Sequence, residues 1–391
     1  MPGYKDLTVS CLCGAARHTF TVPETSLPLL TNLCNCNISR RISGSLVTSY
    51  FDITLDESAP KPNVSALTGY KSSNMLTRYF CSTCGTQMYL EYNSNRHFWA
   101  ATGTLEVENT DGILEWNSQM WIEDTLDGGA SEFLTSIKGR TLNRYFQEAR
   151  ESKEAPSGWR DSSGASSQPG TEQRVRARCH CNGVEFYISR PNNASNTATE
   201  SAWPDLLVAD PTGMAENPEN FPWWLAGHNR YMAGTCACTT CRRSSGFEIT
   251  FWAFLPTANI TQDAEGTVPF QRKPYWGTMN SFQSSPGVTR TFCGICGANV
   301  FWDGKDTLID VAAGLLDATS GARAEEWLAW WPERVSFAEK AQNKELIAGL
   351  EEGLKKWAHR NEGASFVATR TFPVCKAVEQ SIIEHTSRVL L

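Results

Sequence analysis

The sequence lacks any long hydrophobic run. No stretch of its 391 residues approaches about 18 consecutive apolar residues, which argues against a membrane-spanning helix. The first residues, Met-Pro-Gly-Tyr-Lys-Asp-Leu-Thr, also lack the hydrophobic region of a secretory signal peptide. We therefore expect no membrane partner and a reducing, cytoplasmic compartment.

An excess of positive charge is also missing. The formal net charge is −7 and the pI is about 5.5, which argues against a general nucleic-acid binder, because such proteins carry a basic patch. Hydrophobic residues make up 41% of the chain, enough for a core in each of the two or three domains that its length predicts.

The 14 cysteines, in contrast, are numerous, and in a reducing compartment closely spaced cysteines favour metal binding over disulfides. They occur in the same order twice. The first set is Cys11-Leu12-Cys13, Cys34-Asn35-Cys36 and Cys81-Ser82-Thr83-Cys84, and the second is Cys179-His180-Cys181, Cys236-Ala237-Cys238-Thr239-Thr240-Cys241 and Cys293-Gly294-Ile295-Cys296. Cys375 stands outside both sets, and we expect it to be an isolated thiol.

Flanking residues repeat with the cysteines. Arg40-Arg41 aligns with Arg242-Arg243, each followed by a glycine at the same distance, and a serine pair with a later arginine precedes Cys81 and Cys293 at identical offsets. The sequence therefore predicts a duplication. We expect a first domain at 1–150, a polar flexible linker at 151–172 and a second domain at 173–391.

The second copy carries an insertion at about 190–232 that contains Trp203, Trp223 and Trp224. Two interpretations stay open: a surface loop packed by its own aromatic side chains, or a lid or wall over the nearby metal site.

The fold class predicted is mainly β. Residues 16–22 and 183–188 alternate apolar and polar side chains, as half-buried strands do, and 45–50 and 249–255 are further strands. One amphipathic helix is predicted at about 338–359, and we expect it to pack on the second domain.

Two four-cysteine sets have the pattern of structural zinc sites, in which a C-x-C pair joins a distant C-x-x-C pair. The predicted ligands are Cys11, Cys13, Cys81 and Cys84 in the first copy, and Cys179, Cys181, Cys293 and Cys296 in the second. Such a site contributes on the order of 10 kcal/mol to folding.

The middle motif of the second copy is different. Cys236, Cys238 and Cys241 supply three thiolates on one short loop, and three protein ligands with an open position are typical of catalytic zinc. Arg242 and Arg243 follow at once and would offset the thiolate charge or bind a substrate carboxylate. We take these five residues as catalytic candidates. The alternative is a closed site with His228 or His180 as its fourth ligand.

The first copy departs from this motif. Ser39 aligns with Cys241, so only Cys34 and Cys36 remain there as candidate metal ligands, and a neutral serine hydroxyl is a poor ligand for zinc. We expect the first domain to have lost the open site and to act as a scaffold or as one wall of the cleft. The repeated Arg78 and Arg290 predict buried arginines that anchor a shared turn, with ligand binding by Arg290 as the alternative.

Together these motifs resemble the glutathione-dependent formaldehyde-activating enzyme (GFA) family, which includes a centromere protein V relative. The family pattern is C-x-C-G, then C-x-C-x-x-C-R-[RK]-x-x-G, then S-S-x-x-x-x-R-x-F-C-x-x-C-G. The second copy matches it at Cys179–Gly183, with Asn182 inserted, at Cys236–Gly246 and at Ser284–Gly297, and the first copy matches at Cys11–Gly14, Arg40–Gly44 and Ser72–Gly85, with Tyr79 in the slot after the arginine. The resemblance implies two tandem Mss4-like zinc-binding β domains. It also implies structural zinc at the C-x-C and C-x-x-C pairs, a second zinc at the middle cysteines, and carbon–sulfur lyase activity.

The favoured hypothesis is a zinc-dependent, carbon–sulfur lyase-like enzyme that acts on a small-molecule thiol or glutathione adduct, with its active site in the second domain. The Trp-rich insertion favours a bulkier substrate than formaldehyde. One alternative is a non-catalytic, zinc-stabilised binding module, and a third hypothesis is chromatin or cytoskeletal association. The sequence does not indicate the substrate or the oligomeric state.

Overall fold

The computed structural model describes residues 3–54, 60–161, 172–198, 202–208 and 214–361. Cys375 and residues 162–171 of the predicted linker lie outside these ranges. The described chain is mainly β with three α-helices, the last of them at its C-terminal end, as the sequence predicts. None of these helices combines the length and the apolar character needed to span a bilayer.

The first copy forms an eight-stranded sheet and two separate two-stranded sheets. Its strands are β1 (Tyr4–Ser10), β2 (Arg17–Pro23), β3 (Leu29–Cys34), β4 (Thr48–Asp52), β5 (Leu67–Lys71), β6 (Leu76–Cys81), β7 (Gln87–Tyr92), β8 (His97–Ala101), β9 (Leu114–Met120), β10 (Ser136–Ile137), β11 (Arg140–Thr141) and β12 (Asn143–Arg144). Helix α1 (Asn37–Ser43) connects β3 to β4. The order of the large sheet is β12-β9-β3-β4-β8-β7-β6-β5, while β1 pairs with β2 and β10 pairs with β11.

The second copy repeats this plan. Its strands are β13 (Arg174–Arg178), β14 (Glu185–Ser189), β15 (Ala202–Pro204), β16 (Met214–Glu216), β17 (Leu225–Ala226), β18 (Arg230–Cys236), β19 (Thr250–Pro256), β20 (Ile260–Thr261), β21 (Met279–Ser285), β22 (Val288–Cys293), β23 (Asn299–Asp303), β24 (Leu308–Ala312) and β25 (Leu328–Trp330). Its helices are α2 (Thr239–Ser245), between β18 and β19, and α3 (Lys344–Arg360). The sheet order is β17-β18-β19-β24-β23-β22-β21, and β25 runs parallel to β18 as β9 does to β3. The duplication therefore extends to sheet topology.

The strands form where the hydrophobic pattern predicts them. In β2 the side chains of Phe20 and Val22 are buried while their neighbours face outward, because successive side chains of a strand point to opposite faces. Strand β19 is buried at every position, which matches its nearly continuous apolar run.

The two copies pack closely through the ends of α1 and α2. Gly44 ends α1 against the backbone of Asn299 in the second copy, and Gly246 ends α2 against the backbone of Gln87 in the first. Both glycines have positive φ, and a side chain at either would collide with the other copy. One hydrophobic core continues across the contact, so the copies are packed as one body.

Helix α3 lies on the first copy, so the prediction that it packs on the second domain is wrong. Gly353 lies against the carbonyl of Phe133, and the Trp357 ring meets the Phe133 ring at 4.9 Å. The Asn343 side chain caps the helix and also donates to Thr110 Oγ1 at 2.9 Å. Amphipathic periodicity predicts an apolar face but not its partner, which explains the error.

Residues 151–161, which fall in the predicted linker, hydrogen bond to the first copy. The amide of Ala155 donates to the Arg144 carbonyl at 2.7 Å, and that of Asp161 donates to the Leu126 carbonyl at 2.8 Å.

Candidate functional site

The three middle cysteines of the second copy come from a strand end and a helix start, not from one loop as the sequence predicts. Cys236 ends β18, and Cys238 caps α2 by accepting a hydrogen bond on Sγ from the amide of Cys241 at 3.3 Å. Cys241 therefore sits in the first helical turn. The three sulfur atoms lie within 4.8 Å of one another, and Cys236 and Cys241 are buried. The C-x-C-x-x-C spacing matches this strand-to-helix turn.

Arg290 of β22 reaches this cluster. Its guanidinium donates to Cys241 Sγ at 3.3 Å and to Ser244 Oγ at 3.2 Å, and the residue is only 4% exposed. Hydrogen bonds with Cys236 and Cys238, and then the charge of Arg290, hold the pKa of the Cys241 thiol well below its ordinary value. The pKa of Cys236 is raised by its hydrogen bonds with the other two thiols. The site therefore favours negative charge on Cys241 in particular.

No fourth protein ligand completes the cluster among the residues that the structure describes. Of their histidine, cysteine, aspartate and glutamate side chains, only the three cysteines belong to this group. His180, one of the two alternatives, bonds through Nδ1 to the Tyr70 hydroxyl at 2.8 Å, and within the described ranges His228 belongs to no group of possible ligands. The donor set of three thiols suits zinc with one open position.

The two arginines that follow Cys241 contact the first copy. Arg242 is buried and donates to the Gly103 carbonyl, while its charge also acts on the Cys238 thiol. Arg243 donates to the Cys11 carbonyl at 2.8 Å and lies 3.7 Å from the Glu106 carboxylate. Both side chains thus hold α2 on the first copy, and Arg242 also places positive charge near the thiols.

The corresponding site in the first copy has two sulfurs and one hydroxyl. Ser39 takes the place of Cys241, donates through Oγ to Cys34 Sγ at 3.4 Å, and accepts from Arg78 at 3.3 Å. Cys36 caps α1 as Cys238 caps α2. Its hydrogen bond with Cys34, then Arg78, lowers the pKa of Cys36 to about 6. Within the described ranges, Cys34 and Cys36 belong to no group of three possible ligands.

The predicted four-cysteine sets are assembled in both copies. Cys13 Sγ lies 3.5 Å from Cys11 Sγ and 3.6 Å from Cys81 Sγ, and Cys84 completes this group. In the second copy, Cys181 Sγ lies 3.5 Å from the sulfurs of Cys179 and Cys293, and Cys296 completes the group. Tetrahedral coordination with Zn–S bonds of about 2.3 Å separates sulfurs by about 3.8 Å, so both donor sets fit zinc.

Charge in these clusters is shared unevenly. Hydrogen bonds with Cys179 and Cys181 hold the pKa of the Cys293 thiol far below its ordinary value, and hydrogen bonds with the same residues raise the pKa of Cys296. Closely packed thiols must lose their protons to become metal ligands, and a cation with high affinity for sulfur stabilises the resulting thiolates. All thirteen described cysteines are free thiols, as metal binding requires.

The Trp-rich insertion packs into the second copy as well as through its own aromatic side chains, since the Trp223 and Trp224 rings meet at 5.8 Å. Trp223 and Trp224 are buried, and the Trp223 ring meets the Phe254 ring of β19 at 5.3 Å. The buried Asp205 accepts hydrogen bonds from Ser336 Oγ at 3.0 Å and from the Phe337 amide at 2.7 Å. The carbonyl of Ser336 in turn accepts from the amide that follows Cys236, so the insertion braces the strand end at the three-cysteine cluster.

The catalytic candidates that the sequence predicts do not include Arg290, although the repeat marks its position. The signal was the identical offset of Arg78 and Arg290 from the next cysteine pair. Both arginines are buried, as the sequence predicts. Arg290, however, contacts Cys241. In the first copy the turn at the serine pair is stabilised by the hydroxyl of Ser72, which donates to the Leu76 carbonyl.

We expect Arg290→Met to weaken zinc binding at the three-cysteine cluster by about 10- to 100-fold, because the Cys241 thiolate loses its charged partner. Competition with a chromophoric chelator measures this affinity. Arg78→Met is the matched control, since Arg78 is equally buried but bonds to hydroxyl groups. Equal changes in the two variants would mean that Arg290 acts on stability alone.

The comparisons with known proteins agree with this geometry. The family description "Glutathione-dependent formaldehyde-activating enzyme" matches residues 6–124 and 226–333, more than half of the chain. The second match begins after Cys179 and Cys181, which the insertion separates from the rest of their cluster in sequence but not in space. None of the curated proteins compared with the chain matches it. The two matched regions contain the two repeated sheets. The chain belongs to the glutathione-dependent formaldehyde-activating enzyme (GFA) family.

Proposed function

We propose that this protein is a zinc-dependent enzyme of the carbon–sulfur lyase type that acts on a thiol or glutathione adduct, with its active site at the three-cysteine cluster of the second copy. The observation that carries the proposal is the open donor set: three thiols gathered beside the buried Arg290, with no fourth protein ligand in the described chain. Closed structural sites instead use four ligands, as the other two clusters do.

Zinc held by Cys236, Cys238 and Cys241 would supply a Lewis acid that keeps a thiol deprotonated at neutral pH. The chain's own residues determine the charge around it. Arg290 keeps Cys241 ionised, and Arg242 places a second buried positive charge near Cys238. An anionic thiolate is therefore favoured over a neutral thiol next to this cluster.

The reaction that fits is reversible addition of a thiol to a carbonyl compound. The thiol S–H bond breaks and releases one proton. The sulfur electron pair forms the carbon–sulfur bond, the carbonyl π pair moves to oxygen, and that oxygen takes up one proton. In the lyase direction the hydroxyl loses its proton, the carbonyl re-forms, the carbon–sulfur electron pair returns to sulfur, and the thiolate takes up one proton. The family description, which names glutathione and formaldehyde, supports a thiol–aldehyde pair of this chemistry.

The first copy has a supporting role in this proposal. It lacks the third thiol at Ser39, and its Gly103 and Cys11 carbonyls hold the arginines of α2. A cytoplasmic location is part of the proposal too, because the free thiols require a reducing environment.

Exchange spectroscopy by NMR tests the enzyme assignment. Glutathione with formaldehyde, and glutathione with benzaldehyde as a bulkier carbonyl, form adducts whose interconversion rates are measurable with and without protein. We expect the wild type to accelerate exchange of at least one pair and Cys241→Ser to lose more than about 100-fold of that acceleration. Cys375→Ser is the control for loss of a thiol.

A second candidate, a zinc-stabilised binding module, is favoured by the first copy, which keeps its fold without the third thiol. It predicts that neither adduct exchanges faster with the wild type than with Cys241→Ser. That result would overturn the enzyme proposal.

A further inference from the structure

Cys34 and Cys36 form a pair of thiols at the place where the second copy has its three-cysteine cluster. Cys34 ends β3 and Cys36 caps α1, just as Cys236 ends β18 and Cys238 caps α2. The sulfurs of Cys236 and Cys238 lie within 4.8 Å of each other. The shared strand-to-helix turn therefore gives the first copy a two-thiol version of the same cluster.

Ser39 contacts both thiols of this pair. Its amide donates to Cys36 Sγ at 3.3 Å, and its hydroxyl donates to Cys34 Sγ at 3.4 Å. Both cysteines are half-buried free thiols, so an ion from solvent can reach them. Among the residues that the structure describes, no third histidine, cysteine or carboxylate side chain joins them. The pair is therefore an accessible donor set of two sulfurs.

The guanidinium of Arg78 places a positive charge beside this donor set. Arg78 is only 4% exposed, and its hydrogen bonds go to neutral hydroxyl groups, Ser39 Oγ at 3.3 Å and Tyr50 Oη at 3.0 Å. Glu91, a buried acid on the adjacent strand β7, pairs instead with Arg96. A buried charge is costly without an opposite charge nearby, so Arg78 favours a net negative charge on the thiols that Ser39 connects to it.

The number of thiolates determines which cation such a site holds. Zinc takes four ligands in tetrahedral geometry, and two thiols supply only half of them. Cu⁺ is a soft cation that thiolates bind strongly, and two sulfurs on opposite sides of the ion are enough to coordinate it. Charge favours the same ion. Two thiolates with Cu⁺ carry one net negative charge, which Arg78 balances, whereas two thiolates with Zn²⁺ are neutral and leave Arg78 without a counter-ion.

We propose that Cys34 and Cys36 bind a soft monovalent cation, Cu⁺, and that Ser39, in the place of Cys241, separates the metal preference of this pair from that of the three-cysteine cluster. Each thiol gives its proton to solvent as its sulfur binds the ion, and no electron is transferred. This inference does not rest on the proposed enzyme, whose active site is in the second copy.

The test uses Cu⁺ alone, supplied without oxygen as its coloured complex with bicinchoninate, and full-length protein already loaded with zinc. Loss of the colour counts the Cu⁺ ions taken up, and released zinc is measured in the same sample. We expect the wild type to take up one Cu⁺ without releasing zinc, and Cys36→Ser to take up none. Serine caps helices well, so this variant keeps the start of α1.

Cys375→Ser, which removes the thiol outside both repeated cysteine sets in the sequence, is the control and should take up one Cu⁺ as the wild type does. Release of zinc by the first Cu⁺ in the wild type would overturn the proposal. So would equal uptake by the wild type and Cys36→Ser.

Exchanging the residues at positions 39 and 241 tests the preference itself. Ser39→Cys restores three thiols beside a buried arginine, so we expect it to bind one more Zn²⁺ than the wild type and to lose the uptake of Cu⁺. Cys241→Ser creates the two-thiol set in the second copy, so we expect one Zn²⁺ fewer and a second Cu⁺. Thermal melting checks that each variant is folded. A folded variant of either kind whose Cu⁺ uptake stays at one ion would overturn the role of Ser39.

Arg78→Met tests the balance of charge. We expect it to weaken Cu⁺ binding by about 10- to 100-fold, because the two thiolates lose the positive charge that balances the complex. Competition with bicinchoninate at increasing concentrations measures the affinity. An affinity equal to that of the wild type would show that Arg78 does not select the ion, and this part of the proposal would be overturned.

Discussion

Replacing Cys241 with serine will lower the zinc content of the protein from three ions to two. Three clusters of cysteine side chains fit zinc in the described chain, two with four thiols and one with three. The variant reduces the third cluster to the set already present in the first copy, two sulfurs and a hydroxyl next to an arginine. A neutral hydroxyl does not replace a thiolate as a zinc ligand, so this ion is lost.

Native mass spectrometry of reduced protein measures this stoichiometry directly. Cys375→Ser, which removes the thiol that stands outside both repeated cysteine sets in the sequence, should retain three ions. Three ions in wild type and two in Cys241→Ser would establish two closed sites and one open site. Two ions in both proteins would mean that the middle cysteines hold no stable metal, and the binding-module hypothesis would replace the enzyme.

Replacing Cys84 with serine will have a larger effect, on folding itself. Cys84 is buried in the first four-cysteine cluster, and loss of such a site removes on the order of 10 kcal/mol from the folded state. This cost is comparable to the whole stability of a typical domain, about 5–15 kcal/mol. We therefore expect the variant to lose cooperative unfolding at the wild-type temperature.

The damage will extend to the second copy. Thr86 Oγ1 lies 3.1 Å from Cys84 Sγ and donates to the Arg243 carbonyl at 2.8 Å, so the first cluster is connected to α2 by one side chain. The shared hydrophobic core adds to this connection. We expect zinc at Cys236, Cys238 and Cys241 to be released as well.

Zinc content after desalting and calorimetric melting measure both parts of this prediction. Cys34→Ser is the matched control, because Cys34 lies in the first copy but in no group of three possible ligands in the described chain. A variant that loses only the ion at Cys84, and whose second copy melts as in the wild type, would show that the copies are energetically independent.

Cysteine spacing predicted the two closed clusters and the three-thiol cluster because ligand pairs at C-x-C and C-x-x-C are local features that only need to be brought together. The strands followed from alternation in the same way, as in β2 and β19. The repeat itself indicated which distant pairs belong together.

What the sequence did not predict are contacts between distant parts of the chain. Nothing local to Arg242 or Arg243 indicates that their partners are backbone carbonyls of the other copy. The apolar stripe of α3 is equally compatible with either copy, and the choice depends on the small Gly349 and Gly353 meeting the segment near Phe133.

The exchange of contacts through α1 and α2 gives the covalent link between the copies a thermodynamic role. Arg41 donates to the Leu315 carbonyl at 3.0 Å in one direction, and Arg243 donates to the Cys11 carbonyl in the other, so each copy completes its partner. Two separate chains would have to associate, and the fraction assembled would fall on dilution. A single polypeptide supplies each copy at an effective concentration on the order of millimolar, so the three-cysteine site stays assembled however scarce the protein is.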